Sequence, residues 1–317
     1  MVLDFTGQIK QAEMGNQKES SSLVVVYCYG DLRAATKNFS ERLGGGGFGS
    51  VYRGVLNGHA LDVAVKKLEG LRQGDKQFRT EVNTLGLIQH VYLVRLIGFC
   101  SSRQDKLLVY EYMPNGSLDS YLFKSSQCPS WNDRYGIMLG VARGLAYLHE
   151  DCRECIIHCD IKPENILLDK DLCPKIADLG MAKLVAREGL QPCTDDDAGH
   201  HRFGMVVFEL ISGRRNTECY ENNDDDAEAG QRPSTFFPVW AASRLAEGGA
   251  AAVEDPRLHG DVSEEELERA CRVACWCIQD QEEHRPTMAQ VVQALEGVVV
   301  VQVPPVPRAL QHLATLA

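Results

Sequence analysis

The chain has 317 residues, 44% of them apolar, and a formal net charge of −11. That is enough apolar material for one large core or two moderate ones. The acidic balance, with aspartate runs at 195–197 and 224–226, excludes the broad basic surface that a nucleic-acid partner needs. Twelve cysteines lie scattered through helix-like and strand-like stretches, so reduced thiols are expected, not a disulfide framework. Cys152-x-x-Cys155 has no second pair or histidine spacing to complete a metal site. The longest apolar runs, 23–29 and 298–301, fall far short of the roughly 20 residues a bilayer requires. The first eleven residues carry Asp4 early and no apolar core, unlike a signal peptide. A soluble chain, cytoplasmic as given, is the expectation.

Residues 1–30 read as a leader, and the Ser-, Gln-, Lys- and Glu-rich stretch 11–22 favours disorder. Next comes Gly44-Gly45-Gly46-Gly47-Phe48-Gly49-Ser50-Val51. A string of this kind opens a dinucleotide-binding unit when a helix follows its last glycine. Here 50–56 and 61–68 alternate like strands around an Asn57-Gly58 turn, which fits a β-turn-β flap over phosphates. Glycines suit such a flap because backbone N–H groups must approach phosphate oxygens with no Cβ in the way. In the strand 62–66, period-two geometry puts Asp62, Ala64 and Lys66 on one face. A small residue beside a lysine suits an adenine pocket next to a phosphate-binding cation; a solvated edge lysine is the plainer alternative and fits Lys67 better.

Residues 75–88 carry Phe78, Val82 and Leu85 at helical spacing, with Glu81 bordering the stripe, where pattern alone leaves it solvated. Stretches 93–99 and 106–112 complete five strands and one helix by Tyr112, and Met113-Pro114-Asn115-Gly116 then interrupts the pattern as a hinge. Ile137, Val141, Leu145 and Leu148 mark a long amphipathic helix. It leads into His158-Cys159-Asp160-Ile161-Lys162-Pro163-Glu164-Asn165, with Asp178-Leu179-Gly180 following. Together these supply a base for a hydroxyl, a cation for a phosphate and two oxygen ligands for Mg²⁺, although the loop by itself also reads as ordinary polar surface. Residues 203–211 are apolar on nearly every face, as in a buried helix. Ser263-x-x-Glu266 reads as a capping box for a helix through Cys277, and Arg285-Pro286-Thr287 starts another that runs to Leu295. The tail from Val298 holds three prolines and is expected to be irregular.

The flap, lysine, glutamate, 158–165 loop and later aspartate, in this order and at these spacings, resemble the eukaryotic protein kinases. Leu32-Arg33-Ala34-Ala35-Thr36-Lys37-Asn38-Phe39, Leu108-Val109-Tyr110-Glu111-Tyr112-Met113, Gly144-Leu145-Ala146-Tyr147-Leu148-His149 and His284-Arg285-Pro286-Thr287-Met288 resemble, in particular, plant receptor-like serine/threonine kinases of the S-domain (G-type lectin) subgroup. Val2 to Gln11 is similar to a fragment of the ectodomain found in that subgroup and is too short to bury a core. The resemblance implies an α+β, bilobal fold. A β-rich N-lobe with one helix would occupy 31–112 and a helical C-lobe 113–297, with a leader at 1–30 and a tail at 298–317.

It also implies ATP and Mg²⁺ bound between the lobes, and a protein substrate that the sequence does not identify. In the family the kinase domain lies on the cytoplasmic side of the plasma membrane. Nucleotide contacts would fall on Gly44, Gly46, Gly47, Phe48, Gly49, Val51, Ala64 and Lys66, with Tyr110 as gatekeeper and Glu111 and Met113 in the hinge. Glu81 would pair with Lys66. Asp160 would take the substrate hydroxyl proton, Lys162 would steady the γ-phosphoryl group, and Asn165 and Asp178 would hold Mg²⁺.

The chain departs from the family pattern in three places. Cys159 replaces the arginine that normally precedes the catalytic aspartate, the mark of a non-RD kinase, and Leu179 replaces a phenylalanine. The segment 181–203 is short and contains no Ala-Pro-Glu. Thr194 is its only hydroxyl residue, Gly199 stands where the family has an aspartate, and Arg285 is expected to lack its glutamate partner. Nucleotide binding would survive these changes better than transfer to a peptide. An ATP-binding pseudokinase or scaffold, or an abridged gene product, is therefore the alternative.

Overall fold

The computed structural model describes residues 2–3, 9–10, 24–46, 49–56, 61–69, 73–102, 105–124, 128–185, 199–216, 219–221, 234–247 and 249–305. The disorder expected for 11–22, and Thr194, fall outside them. The chain divides into two compact units: Met1–Pro114 with Asp178–Ala182, and Asn115–Ala177 with Lys183–Ala317.

The first unit opens with a two-residue ribbon, β1 (Val2–Leu3) against β2 (Ile9–Lys10). Its main sheet comprises β3 (Val25–Val26), β4 (Arg42–Gly46), β5 (Gly49–Leu56), β6 (Leu61–Leu68), β7 (Leu96–Ser101) and β8 (Lys106–Glu111). These run in the order β3-β7-β8-β6-β5-β4, antiparallel except for β3 beside β7. Alternation along β6 decides its two faces. Val63 and Val65 are fully buried in a cluster with Leu32, Cys100, Leu107 and Val109, leaving Asp62, Ala64 and Lys66 for the opposite face.

Leu32 belongs to α1 (Tyr29–Ala35), which with β3 is additional to the expected five strands and one helix. Neither is long enough to stand alone in water; packing on the sheet stabilises them, so periodicity does not reveal them. A left-handed turn at Lys37, Asn38 and Phe39 (φ 49°, 60° and 58°) ends α1. It sets Phe39 between Tyr29 and Tyr52, with ring centroids 6.0 and 5.2 Å away. The second helix, α2 (Gln73–Leu85), is pinned to β7 by Phe78 edge-on to Phe99 at 5.6 Å.

The second unit is mostly helical. Its first long helix, α3 (Trp131–Ala146), is capped by Ser130 and Asp133 and continues as a π-turn, Tyr147–Asp151. Short strands follow: β9 (Cys155–Ile157), β10 (Ile166–Leu168), β11 (Pro174–Ile176) and β12 (Lys183–Val185). Strands β10 and β11 form a hairpin, and β12 returns to pair with β9. At the core lies α4 (Gly199–Ser212), whose Phe203, Val207, Phe208, Leu210 and Ile211 are fully buried, as the apolar run 203–211 predicts. A small ribbon, β13 (Cys219–Glu221) with β14 (Ser234–Phe236), precedes α5 (Phe237–Ala246). The last helices are α6 (Glu264–Cys277) and α7 (Met288–Leu295).

Two local expectations are corrected. Ser263 caps the Glu266 N–H, but the Glu266 carboxylate accepts from Trp131 Nε1 at 2.7 Å instead of closing a capping box. The helix expected from Arg285 begins at Met288, where Thr287 and Gln290 form the box. Residues 300–305 have no regular structure. Side chains of α6 hold them by their carbonyls: Arg272 to Val301 at 2.7 Å and Trp276 to Gln302 at 3.0 Å. No helix of the described residues is long and apolar enough to cross a membrane. Nine described cysteines are free thiols. Cys155 is disulfide-bonded, against the reduced state expected.

Candidate functional site

In the first unit the alternation of β6 delivers Lys66 to a buried position, where it is 7% exposed. Its Nζ lies 2.8 Å from Glu81 Oε1 and 2.8 Å from Asp178 Oδ1. Glu81, which helical pattern alone leaves solvated, is fully buried on α2. Tyr110 donates its phenolic proton to the other Glu81 oxygen. Burial works against the Lys66 cation, but Glu81 and Asp178 outweigh it and hold its pKa above the ordinary lysine value. Two carboxylates share one cation, and burial raises the pKa of Glu81, the more enclosed of them, against the pull of Lys66. Burial, reinforced by Glu81, pushes Tyr110 well above the usual phenol range and keeps it a donor.

Asp178 reaches Lys66 from a left-handed backbone (φ 65°), a conformation that aspartate tolerates better than most residues. Gly180 lies against the same cluster, where a Cβ would stand 2.9 Å from Glu81 Oε1. Cross-strand register sets Val51 opposite Lys66 and Ala64 opposite Tyr110, each pair sharing a face. Gly46 pairs with Gly49, whose φ of 133° and 2.1 Å Cβ approach to the Lys67 carbonyl admit only glycine. Gly44 is on β4, and Gly47 and Phe48 lie outside the described residues. Glu111 accepts from the Arg95 N–H at 2.8 Å, and Met113 is buried.

The second unit gathers Asp160, Lys162 and Asn165. Asp160 Oδ2 accepts from Lys162 Nζ at 2.7 Å and from Asn165 Nδ2 at 2.9 Å. Asn165 Nδ2 also donates to the Asp160 carbonyl at 2.8 Å. Asp160 Oδ1 accepts no hydrogen bond among the described residues; Arg202 Nη1 stands 3.8 Å from it. His158 is fully buried and fixes the loop from behind. Its Nδ1 accepts from the Asp160 N–H at 3.2 Å, so the proton is on Nε2, which donates to the Ala177 carbonyl at 2.9 Å. Cys159 has a left-handed backbone (φ 63°).

Three features escaped the sequence reading. Helical and strand periods carry no signal for the Tyr110–Glu81 contact or for Arg202 beside Asp160. Nor do they mark the fully buried Arg134, which donates to the Leu210 carbonyl at 2.8 Å and to Asp255 at 2.6 Å. Arg285, in turn, is not stranded. It is only partly buried, and its Nε donates to the Gln279 carbonyl at 2.8 Å. Among the described residues no group of three or more His, Cys, Asp or Glu side chains could hold a metal ion.

Residues 37–217, more than half the chain, match the family described as protein tyrosine and serine/threonine kinase. The chain is 54% identical over 312 residues to the G-type lectin S-receptor-like serine/threonine-protein kinase At2g19130 of Arabidopsis thaliana, covering 90% of this chain and 36% of that protein. It is 48% identical to SD2-2, a G-type lectin S-receptor-like kinase of the same plant, covering 92% of this chain and 39% of the relative. It is 37% identical to the probable receptor-like protein kinase At5g20050, also from Arabidopsis, covering 87% of this chain and 67% of that one. The chain thus spans little more than a third of the length of the first two relatives. With its β-rich first unit, helical second unit and this similarity throughout, the chain belongs to the protein kinase family, in the plant S-domain receptor-like group, and has that family's bilobal α+β fold.

Proposed function

We propose that the chain transfers the γ-phosphoryl group of Mg²⁺-bound ATP to serine or threonine hydroxyls of a protein, as a kinase of the non-RD type. The carrying observation is the asymmetry of Asp160. Oδ2 is fixed by Lys162 and Asn165, whereas Oδ1 takes no hydrogen bond among the described residues and is left to accept one from a substrate hydroxyl. Asp160 Oδ1 then takes the hydroxyl proton as that oxygen bonds to the γ-phosphorus and the bond to the β-phosphate oxygen breaks. Lys162, on the same carboxylate, steadies the transferring group. Lys66, kept charged by Glu81, is the cation for the upstream phosphates.

Both Nδ2 hydrogens of Asn165 are spent on Asp160, which leaves its amide oxygen as a ligand. That oxygen and, in the other unit, the Asp178 carboxylate are each hard-oxygen donors of the kind Mg²⁺ takes beside waters and phosphates. Bound Mg²⁺ neutralises charge on the phosphate oxygens. Cys159 supplies no cation for a phosphate on the 181–203 segment, so activity is not gated there by an arginine of the catalytic loop.

A second reading, ATP binding with weak transfer to peptides, is favoured by one observation: 181–203 contains no Ala-Pro-Glu. Purified chain, Asp160→Asn, Lys66→Met and Asp178→Ala are compared with radiolabelled ATP, a generic Ser/Thr substrate and a fluorescent ATP analogue. Asp160→Asn is expected to lose transfer by about 10²–10⁴-fold while still binding nucleotide. Lys66→Met and Asp178→Ala are expected to weaken Mg²⁺-dependent binding itself. Equal binding by all the proteins removes the kinase-type site. Wild-type transfer equal to the Asp160→Asn blank, with binding intact, establishes the scaffold.

A further inference from the structure

Arg202 occupies the first turn of α4, with Nη1 3.8 Å from Asp160 Oδ1 and its side chain 45% exposed. That separation is too long for a hydrogen bond, and Arg202 has no other hydrogen bond or ion pair among the described residues. Its five N–H donors thus make no hydrogen bond among the described residues. Asp160 already has a cation, Lys162 at 2.7 Å. The loop's other carboxylate, Glu164, has one too, in Arg215 at 2.7 Å. Arg202 is thus a surplus positive charge at the aspartate of an otherwise acidic chain. An ion pair at this distance, with its arginine half-exposed, is weak and readily exchanged for a better-placed anion.

We propose that Arg202 is a specificity residue that selects protein substrates bearing an aspartate or glutamate next to the acceptor hydroxyl. The inference rests on the reading of Asp160 Oδ1 as the atom that receives that hydroxyl. Neighbouring Cα atoms in a peptide are about 3.8 Å apart. An acceptor seated on Oδ1 therefore brings the side chain of an adjoining residue within reach of a guanidinium this close. A carboxylate there converts a long ion pair into charge-assisted, bidentate hydrogen bonds. An arginine at the same place meets like charge and is disfavoured.

Three peptides, identical except for alanine, glutamate or arginine beside one serine, test this against wild type, Arg202→Ala, Arg202→Lys and Arg202→Glu. Transfer is measured as kcat/KM. Binding is measured without turnover, by fluorescence anisotropy of labelled peptides in the presence of Mg²⁺ and a non-hydrolysable ATP analogue. Wild type is expected to prefer the glutamate peptide over the alanine peptide by roughly 3–10-fold, mainly in KM, and less so at high salt. The ratio is expected to fall to near one in Arg202→Ala, to persist in part in Arg202→Lys, and to invert towards the arginine peptide in Arg202→Glu. Transfer with the same ratio in wild type and Arg202→Ala overturns the proposal and leaves the kinase reading intact. So does an Arg202→Ala effect that scales all peptides by one factor, which is the signature of a plug on Asp160. A binding ratio that follows Arg202 without any transfer supports the selection and overturns turnover. Neither transfer nor peptide binding overturns both.

Discussion

Among individual residues, Glu81 shows how far a side chain's environment departs from its position in a pattern. It borders an apolar stripe and would be solvated on a lone helix, yet it is fully buried between Lys66 and Tyr110. Removing one donor from a buried carboxylate leaves a desolvated charge, so Tyr110→Phe is expected to destabilise the chain by about 1.5–3 kcal/mol. It should also raise the Glu81 pKa further, since the tyrosine hydrogen bond favours the ionised form. Chemical denaturation at pH 7 and the pH dependence of nucleotide binding check the two effects. An unchanged denaturation midpoint would show that the phenol contributes nothing to holding the glutamate. Residues of this kind are half-legible in sequence: Lys66 announces itself by strand alternation, whereas its partners come from α2 and from 112 positions further along the chain.

At the scale of elements, the buried helix α4 was read directly from the near-continuous apolar run 203–211, because a helix apolar on every face has no solvent side. How closely it approaches α6 was not legible. A Cβ on Gly204 would meet the Ala274 carbonyl oxygen, Cys277 Cβ and Ile278 Cγ2, each at 2.9 Å. Two of these belong to the backbone or to its first side-chain carbon and cannot swing away. Gly204→Ala gains about 1 kcal/mol of helix propensity but overpacks this contact, at a cost of about 1–3 kcal/mol, so a net loss in melting temperature is expected. A rise in melting temperature would mean that α4 and α6 separate at little cost. Glycine's identity predicts a close approach in general; only packing says to what.

In the molecule as a whole, one contribution to acid stability comes from a pair that no local signal reveals. Arg134 is fully buried and pairs with Asp255, which also holds Arg257 at 2.7 Å. Burial raises the Asp255 pKa, but hydrogen bonds from Arg257 and Arg134 outweigh it and hold the carboxyl below its ordinary value. Its stabilising contribution is therefore complete above the unfolded carboxylate value of about 3.9, and is lost as pH falls through the lower, folded value. Asp255→Asn leaves Arg134 buried without its counter-charge, at a cost of about 3–5 kcal/mol at pH 7. In thermal melts the gap between variant and wild type should narrow below about pH 4. A gap that stays constant down to pH 2 would exclude Asp255 as the titrating group.

The sequence by itself determined the family, the longer strands β5 to β8, the helices α2, α3, α4, α6 and α7, and the residue types of the candidate site. Those are written in local periods, glycine placement and motif spacing. Tertiary structure alone decided that Glu81 is buried, that α1 and β3 join the sheet, and that Arg285 finds the Gln279 carbonyl. It alone set Arg202 beside Asp160. Each of these depends on groups distant in the chain meeting where water is displaced. A pattern read along one element specifies which face turns inward, not which charge waits there.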